Sequence, residues 1–168
     1  ILFFMTVNFK SPLLIAICIT LVIIILHESK RYLLFHPNKT ISNPIPDYVQ
    51  EIFIKGRKRN NICIWYYSKD DISPIVLFAH GNAGNMTNRI HIINEFKSRG
   101  ISICLFDYRG YGKSSGTSNI NTLFYDMEDT YKYLKNINNQ RTIVALGESI
   151  GYYPAAKLAC KYNLKKLI

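Results

Sequence analysis

Cysteine is scarce in this sequence and scattered. Cys18, Cys63, Cys104 and Cys160 stand at least 41 residues apart. They form no C-x-x-C pair and no Cys/His cluster, which argues against structural zinc and against a disulfide framework. Buried single thiols are the expected state, with no metal and no cofactor. Nine glycines and six prolines are too few for a collagen-like or low-complexity chain, and no internal repeat breaks the sequence into units. Positive charge is in excess but not concentrated. The net +10 divides evenly between residues 1–60 (eight basic, three acidic) and 61–168 (thirteen basic, eight acidic). A nucleic-acid binder gathers its charge on one element, so no nucleic-acid partner is expected. The one dense run, Gly56-Arg57-Lys58-Arg59, reads as a solvated basic turn rather than a phosphate or lipid-headgroup patch.

What the chain does have is apolar mass. At 48% apolar and 13% aromatic over 168 residues, it can fill the core of about one domain. Part of that mass lies at the N-terminus. Leu13 to Leu26 (LLIAICITLVIIIL) carry no charge over fourteen positions, and a helix of that length spans only ~21 Å against a hydrocarbon core of ~30 Å. Ile1 to Phe9 extend the apolar stretch past Lys10, which can snorkel. A membrane anchor over residues 1–31 is the expectation, with a signal peptide as rival and a buried core helix as third reading. The flank His27-Glu28-Ser29-Lys30-Arg31 lacks a small-residue cleavage site. Lys10 on one side against Lys30 and Arg31 on the other leans weakly toward a cytoplasmic domain. Asn38 and Asn85 open N-x-T acceptors that serve only in a lumenal domain, and a glycan at Asn85 would crowd the loop in which it sits.

Residues 32–168 follow a different rhythm. Val49–Ile54 and Ile62–Tyr67 read as a hairpin. Three short continuous apolar runs then follow: Pro74–Ala79, Ile101–Phe106 and Thr142–Leu146. Amphipathic helical spacing separates them, at Met86 to Lys97 and Leu123 to Ile137. A third helix is expected from Ile150 to about Tyr162, and Leu167-Ile168 begin another strand. Unbroken apolar strands alternating with helices predict a mostly parallel α/β sheet covered on both faces. Chemistry in such sheets gathers at the carboxyl ends of the strands. The loops there are His80–Asn85, Asp107–Gly116 and Gly147–Gly151.

Gly147-Glu148-Ser149-Ile150-Gly151 is a G-x-S-x-G between an apolar strand and a helix. A sharp strand-to-helix turn would hold Ser149 out as a nucleophile, and the Ile150 amide could stabilise an oxyanion. The bland alternative is a turn with Ser149 as helix cap. His80-Gly81-Asn82 sits after the earlier strand, where a second oxyanion donor is expected, and the Asn82 amide (or that of Ala83) is the candidate. The His80 side chain reads as a loop stabiliser.

HGNAGN, DYRGYGKSSG and GESIG, in this order and spacing, resemble the α/β-hydrolase superfamily. The similarity is nearest to its membrane-anchored branch of serine-aminopeptidase-like and acyl-protein-thioesterase-like proteins, and covers about residues 32–168. The resemblance implies a serine hydrolase cleaving an ester, thioester or amide through an acyl-enzyme on Ser149, with an acyl, lipid-like or acylated-protein substrate. It also implies a structural role for Asp107. Tyr152 stands where a small residue is commoner, so packing behind the turn is expected to differ, while Pro154 is tolerable in the first turns of the helix. Epoxide-hydrolase chemistry needs an aspartate nucleophile and is disfavoured.

The fold's chain order is serine, then acid, then histidine. All four histidines (His27, His36, His80, His91) precede Ser149, and no Asp, Glu or His follows it. The expectation is therefore a hydrolase domain truncated after its nucleophile helix, its acid and base supplied by absent sequence or a separate C-terminal half. The alternative is a non-catalytic pseudoenzyme or membrane-associated remnant.

Overall fold

In a computed structural model, which describes residues 11–168, the chain forms two compact units, one ending at Leu34 and one spanning Phe35–Ile168. The first unit is helix α1, Pro12–Leu34. Between Leu13 and Leu26 it carries apolar side chains on every face. Among the described residues no helix is long and apolar enough to cross a membrane. Ile1 to Phe9, on which the expected anchor drew for extra length, lie outside the described residues.

The second unit is built on a five-stranded sheet. Its strands are β1 (Gln50–Lys55), β2 (Asn61–Tyr67), β3 (Ile75–Ala79), β4 (Ser102–Phe106) and β5 (Ile143–Gly147). Their spatial order is β1-β2-β4-β3-β5. The β1–β2 hairpin pairs antiparallel, Gln50 opposite Tyr66 and Lys55 opposite Asn61. Strand β2 joins β4 antiparallel, and β4–β3 and β3–β5 are parallel. The sheet is thus mixed rather than mostly parallel. Only the strands linked through helices run parallel, because a short turn between strands forces an antiparallel return.

Helices α2 (Ile90–Ser98), α3 (Ile120–Ile137) and α4 (Tyr152–Tyr162) fill the crossovers. Side chains alternate through the sheet. Ile64, Leu77, Cys104 and Ala145 point into one core with Leu123, Met127, Leu134 and Leu158 from α3 and α4. Trp65, Val76, Phe78 and Leu105 point into the other with Met86 and Ile93. Two buried faces explain why these strands read as unbroken apolar runs. The expected sixth strand begins as foreseen: Leu167 makes a parallel bridge to Ala145, and the Ile168 amide donates to the Ala145 carbonyl at 3.0 Å.

The connection β3–α2–β4 runs to one side of β3, and β4–α3–β5 crosses back to the other. The order therefore reverses at β3, and the crevice beyond its carboxyl end is where such sheets bind ligands. Cys63 and Cys104 are buried as expected, and burial pushes both thiols up from their ordinary range. Cys18 and Cys160 are exposed instead: Cys160 lies off the packed face of α4, and Cys18 is on a helix whose apolar side chains are themselves exposed. The basic turn is only partly solvated: Arg57 pairs with Glu128 and Asp129 and lies over the Tyr125 ring.

Candidate active site

Strand β5 ends in a turn too tight for ordinary backbone. Ser149 has φ 53°, one of few non-glycine residues in the left-handed region, a conformation that costs ~1–3 kcal/mol and persists only where its surroundings impose it. Here they do. The Glu148 amide donates to the Ala79 carbonyl of β3 at 2.9 Å, and the Gly151 amide donates to the Glu148 carbonyl at 2.9 Å. A Cβ on Gly151 would stand 2.1 Å from the Ala79 carbonyl oxygen, and one on Gly147 would stand 2.5 Å from Cα of Tyr152. Both glycines of G-x-S-x-G are thus required by close backbone approach. A short 3₁₀ turn, Ser149–Gly151, precedes α4, so the regular helix starts two residues later than the spacing predicted. Ser149 itself is exposed. Tyr152 projects outward, its ring 53% exposed. Pro154 is buried in the first turn of α4, as a proline there permits.

The 80–85 loop faces this turn. The Asn82 side-chain oxygen accepts from the Tyr111 hydroxyl at 2.8 Å and from the His36 amide at 3.0 Å. Among the described residues no backbone carbonyl accepts the Asn82 amide. The Asn38 carbonyl receives the Gly112 amide and the Asn85 side chain, so segment 36–40 ties two of the loops together. Asn85 is fully buried with both ends of its amide bonded, which leaves no room for a glycan there.

His80 is walled in, 1% exposed between Tyr108 and Tyr111. Its Nδ1 lies 2.7 Å from the Gly81 carbonyl, and its Nε2 lies 3.4 Å from Asp107 Oδ1 without hydrogen-bond geometry. Asp107 accepts the Met86 amide at 2.7 Å and so fastens the loop after β4 to the loop after β3. Both residues hold loops. Burial raises the Tyr111 phenol to about 12, against the pull of its neighbours, which keeps it a neutral donor to Asn82.

Two residues escaped the reading of the sequence. Glu148, the first variable position of G-x-S-x-G, accepts Nε and Nη2 of Arg89 and the Gly81 amide. Partial burial alone would raise its carboxyl, but these bonds outweigh burial and hold it below the usual range. Arg89 follows the HGNAGN loop, and only a charge paired across 59 residues could have revealed it.

An open, mainly apolar groove of about 780 Å³ runs from Ser149 along α4 past Ile150, Tyr153 and Ala156. A second hollow, about 450 Å³ between Phe53 and Tyr133, is lined by no serine, cysteine or histidine. No histidine or carboxylate lines the groove among the described residues.

A two-faced α/β sheet that presents a strained serine at a strand end, opposite an HG loop, belongs to a recognisable class of catalytic scaffold. The match to known proteins is specific: a family model described as the alpha/beta hydrolase fold covers residues 74–168, and the chain belongs to that family. Among relatives, the uncharacterized protein YfhR of Escherichia coli K12 is 28% identical over 125 residues, 70% of this chain and 44% of its own. Lysophosphatidylserine lipase ABHD12 of Bos taurus is 32% identical over 100 residues, 56% of this chain and 25% of its own. Among solved structures, the esterase Pf2001 of Pyrococcus furiosus superposes with a TM-score of 0.65 at 20% identity, over 74% of this chain and 50% of that one. That likeness is one of fold. The chain spans less than half the length of these two relatives.

Proposed function

We propose that this chain carries the nucleophile and oxyanion site of a serine hydrolase acting on an ester, thioester or amide. Ser149 Oγ attacks the substrate carbonyl while its proton passes to a base. The tetrahedral oxyanion is held by the amides of Ile150 and Asn82, and the leaving group departs with a proton, leaving an acyl-enzyme that water then hydrolyses. The observation that carries this reading is the φ of 53° at Ser149, a strain that a mere helix cap would not need.

The histidine and acid are proposed to come from outside these 168 residues, as sequence continuing the sheet or as a separate C-terminal half. In support, every histidine precedes Ser149, and His80 is occupied as a loop brace. The apolar groove and the lipase and esterase among the similar proteins favour an acyl or lipid-like substrate, or an acylated protein. Helix α1 is proposed to associate with a membrane, the apolar sequence Ile1 to Phe9 adding to its run past Lys10; the charge flanks lean toward a cytoplasmic domain.

The groove's lack of a carboxylate or imidazole favours a second reading, a non-catalytic member of the family. Fluorophosphonate labelling of the full-length protein separates the two. Labelling that disappears in Ser149→Ala supports the hydrolase, and an unreactive, folded protein defeats it.

A further inference from the structure

Asn82 and Ile150 sit on different loops, and oxyanion donors act only if both aim at one point in advance. The flanks of Asn82 are tied to the residue before the nucleophile by a single ion pair. Glu148 Oε2 accepts the Gly81 amide at 3.2 Å and Arg89 Nε at 3.1 Å, and Oε1 accepts Arg89 Nη2 at 3.2 Å. The same guanidinium, through Nη1, donates to the Ala83 carbonyl at 2.5 Å and the Asn85 carbonyl at 3.2 Å. Gly81 and Ala83 are thereby gripped on either side of Asn82, one by the carboxylate and one by the arginine. Glu148 is in turn the residue before Ser149, its own amide bonded to the Ala79 carbonyl. Arg89 is 8% exposed, and its planar fork makes the bidentate contact that lysine cannot.

We propose that Arg89 and Glu148 are a positioning pair that sets the Asn82 amide against the Ile150 amide. This rests on the serine-hydrolase reading above. The pair touches no substrate. It fixes the spacing of two donors whose contribution appears only as charge develops on the oxygen, so its loss falls on kcat rather than KM.

The experiment uses the full-length protein, with a short-chain p-nitrophenyl ester for kcat and KM and a fluorophosphonate for the rate of labelling. Glu148→Ala is expected to lower kcat and the labelling rate by about 10–100-fold, the scale of a displaced oxyanion donor, with KM within about twofold. Glu148→Gln keeps an acceptor for the Gly81 amide and should recover most of the loss. Arg89→Ala should match Glu148→Ala, and the double variant should be no worse than either, as members of one unit are non-additive. If the alanine variants do not fold, Glu148→Gln and Arg89→Lys carry the comparison, with the lysine variant expected to be the poorer. A reactive parent whose Glu148→Ala keeps its kcat, or variants whose effects simply add, would overturn the proposal alone. An unreactive parent, or labelling that survives Ser149→Ala, defeats the nucleophile reading and this proposal with it.

Discussion

At the scale of single residues, the site is decided by backbone approach. Gly151→Ala would place a methyl 2.1 Å from the Ala79 carbonyl oxygen, a contact no rotamer relieves. The substitution should cost about 1–3 kcal/mol, the range for forced overpacking, and abolish probe labelling while Ser149 remains in the chain. Denaturant unfolding together with labelling checks both. Tyr111→Phe removes one of two bonds holding the Asn82 side chain and should cost less, a few-fold in labelling rate at about 1 kcal/mol. Asp70, away from the site, gives a pH prediction. The Ser73 hydroxyl, then the Ser73 and Ile72 amides, hold its carboxylate down to about 2 from an ordinary 3.8. A depressed carboxyl contributes stability above 3.8 that is lost as pH falls from 3.8 toward 2. Carboxyl NMR should find Asp70 titrating near 2, with Ser73→Ala moving it up; titration near 4 in the parent counts against the turn geometry.

At the scale of elements, buried charge does the joining. Arg109, in the loop after β4, is held by Asp126 of α3 through its amide at 2.8 Å and its guanidinium at 2.8 and 2.5 Å, with both side chains almost wholly buried. Removing one partner strands the other, so Asp126→Ala should destabilise by about 3–5 kcal/mol, measured by denaturant unfolding. A loss under about 1 kcal/mol would mean water reaches Arg109. Helix α3 starts where Asn119 and Thr122 cap one another reciprocally, and Asn119→Ala should cost about 1 kcal/mol. The helices and strands themselves were legible because their period is written in apolar spacing: Thr142 to Leu146 read as a covered strand because the run is short, unbroken and set between two helical patterns. Their start points were less so, since the 3₁₀ turns at Met86 and Ser149 obey loop contacts rather than periodicity.

At the scale of the molecule, β5 is one of the two edge strands of the sheet. On the side away from β3, only residues 166–168 among the described residues pair with it, and an open apolar groove runs from Ser149 along α4. Such an edge and apolar face invite association. Residues 35–168 produced alone should therefore elute as aggregates in size exclusion, and a monodisperse, cooperatively melting preparation would refute this.

Sequence by itself determined the α/β alternation, the G-x-S-x-G at a strand end and the HG loop before it, because strand, helix and tight turn are local patterns in which apolar period and glycine placement suffice. Only the tertiary structure decided that the sheet is mixed, that Ser149 is strained against β3, and that Arg89 grips Glu148. These depend on which strands become neighbours and on hydrogen-bonding groups brought together from far along the chain. Local spacing carries no record of that.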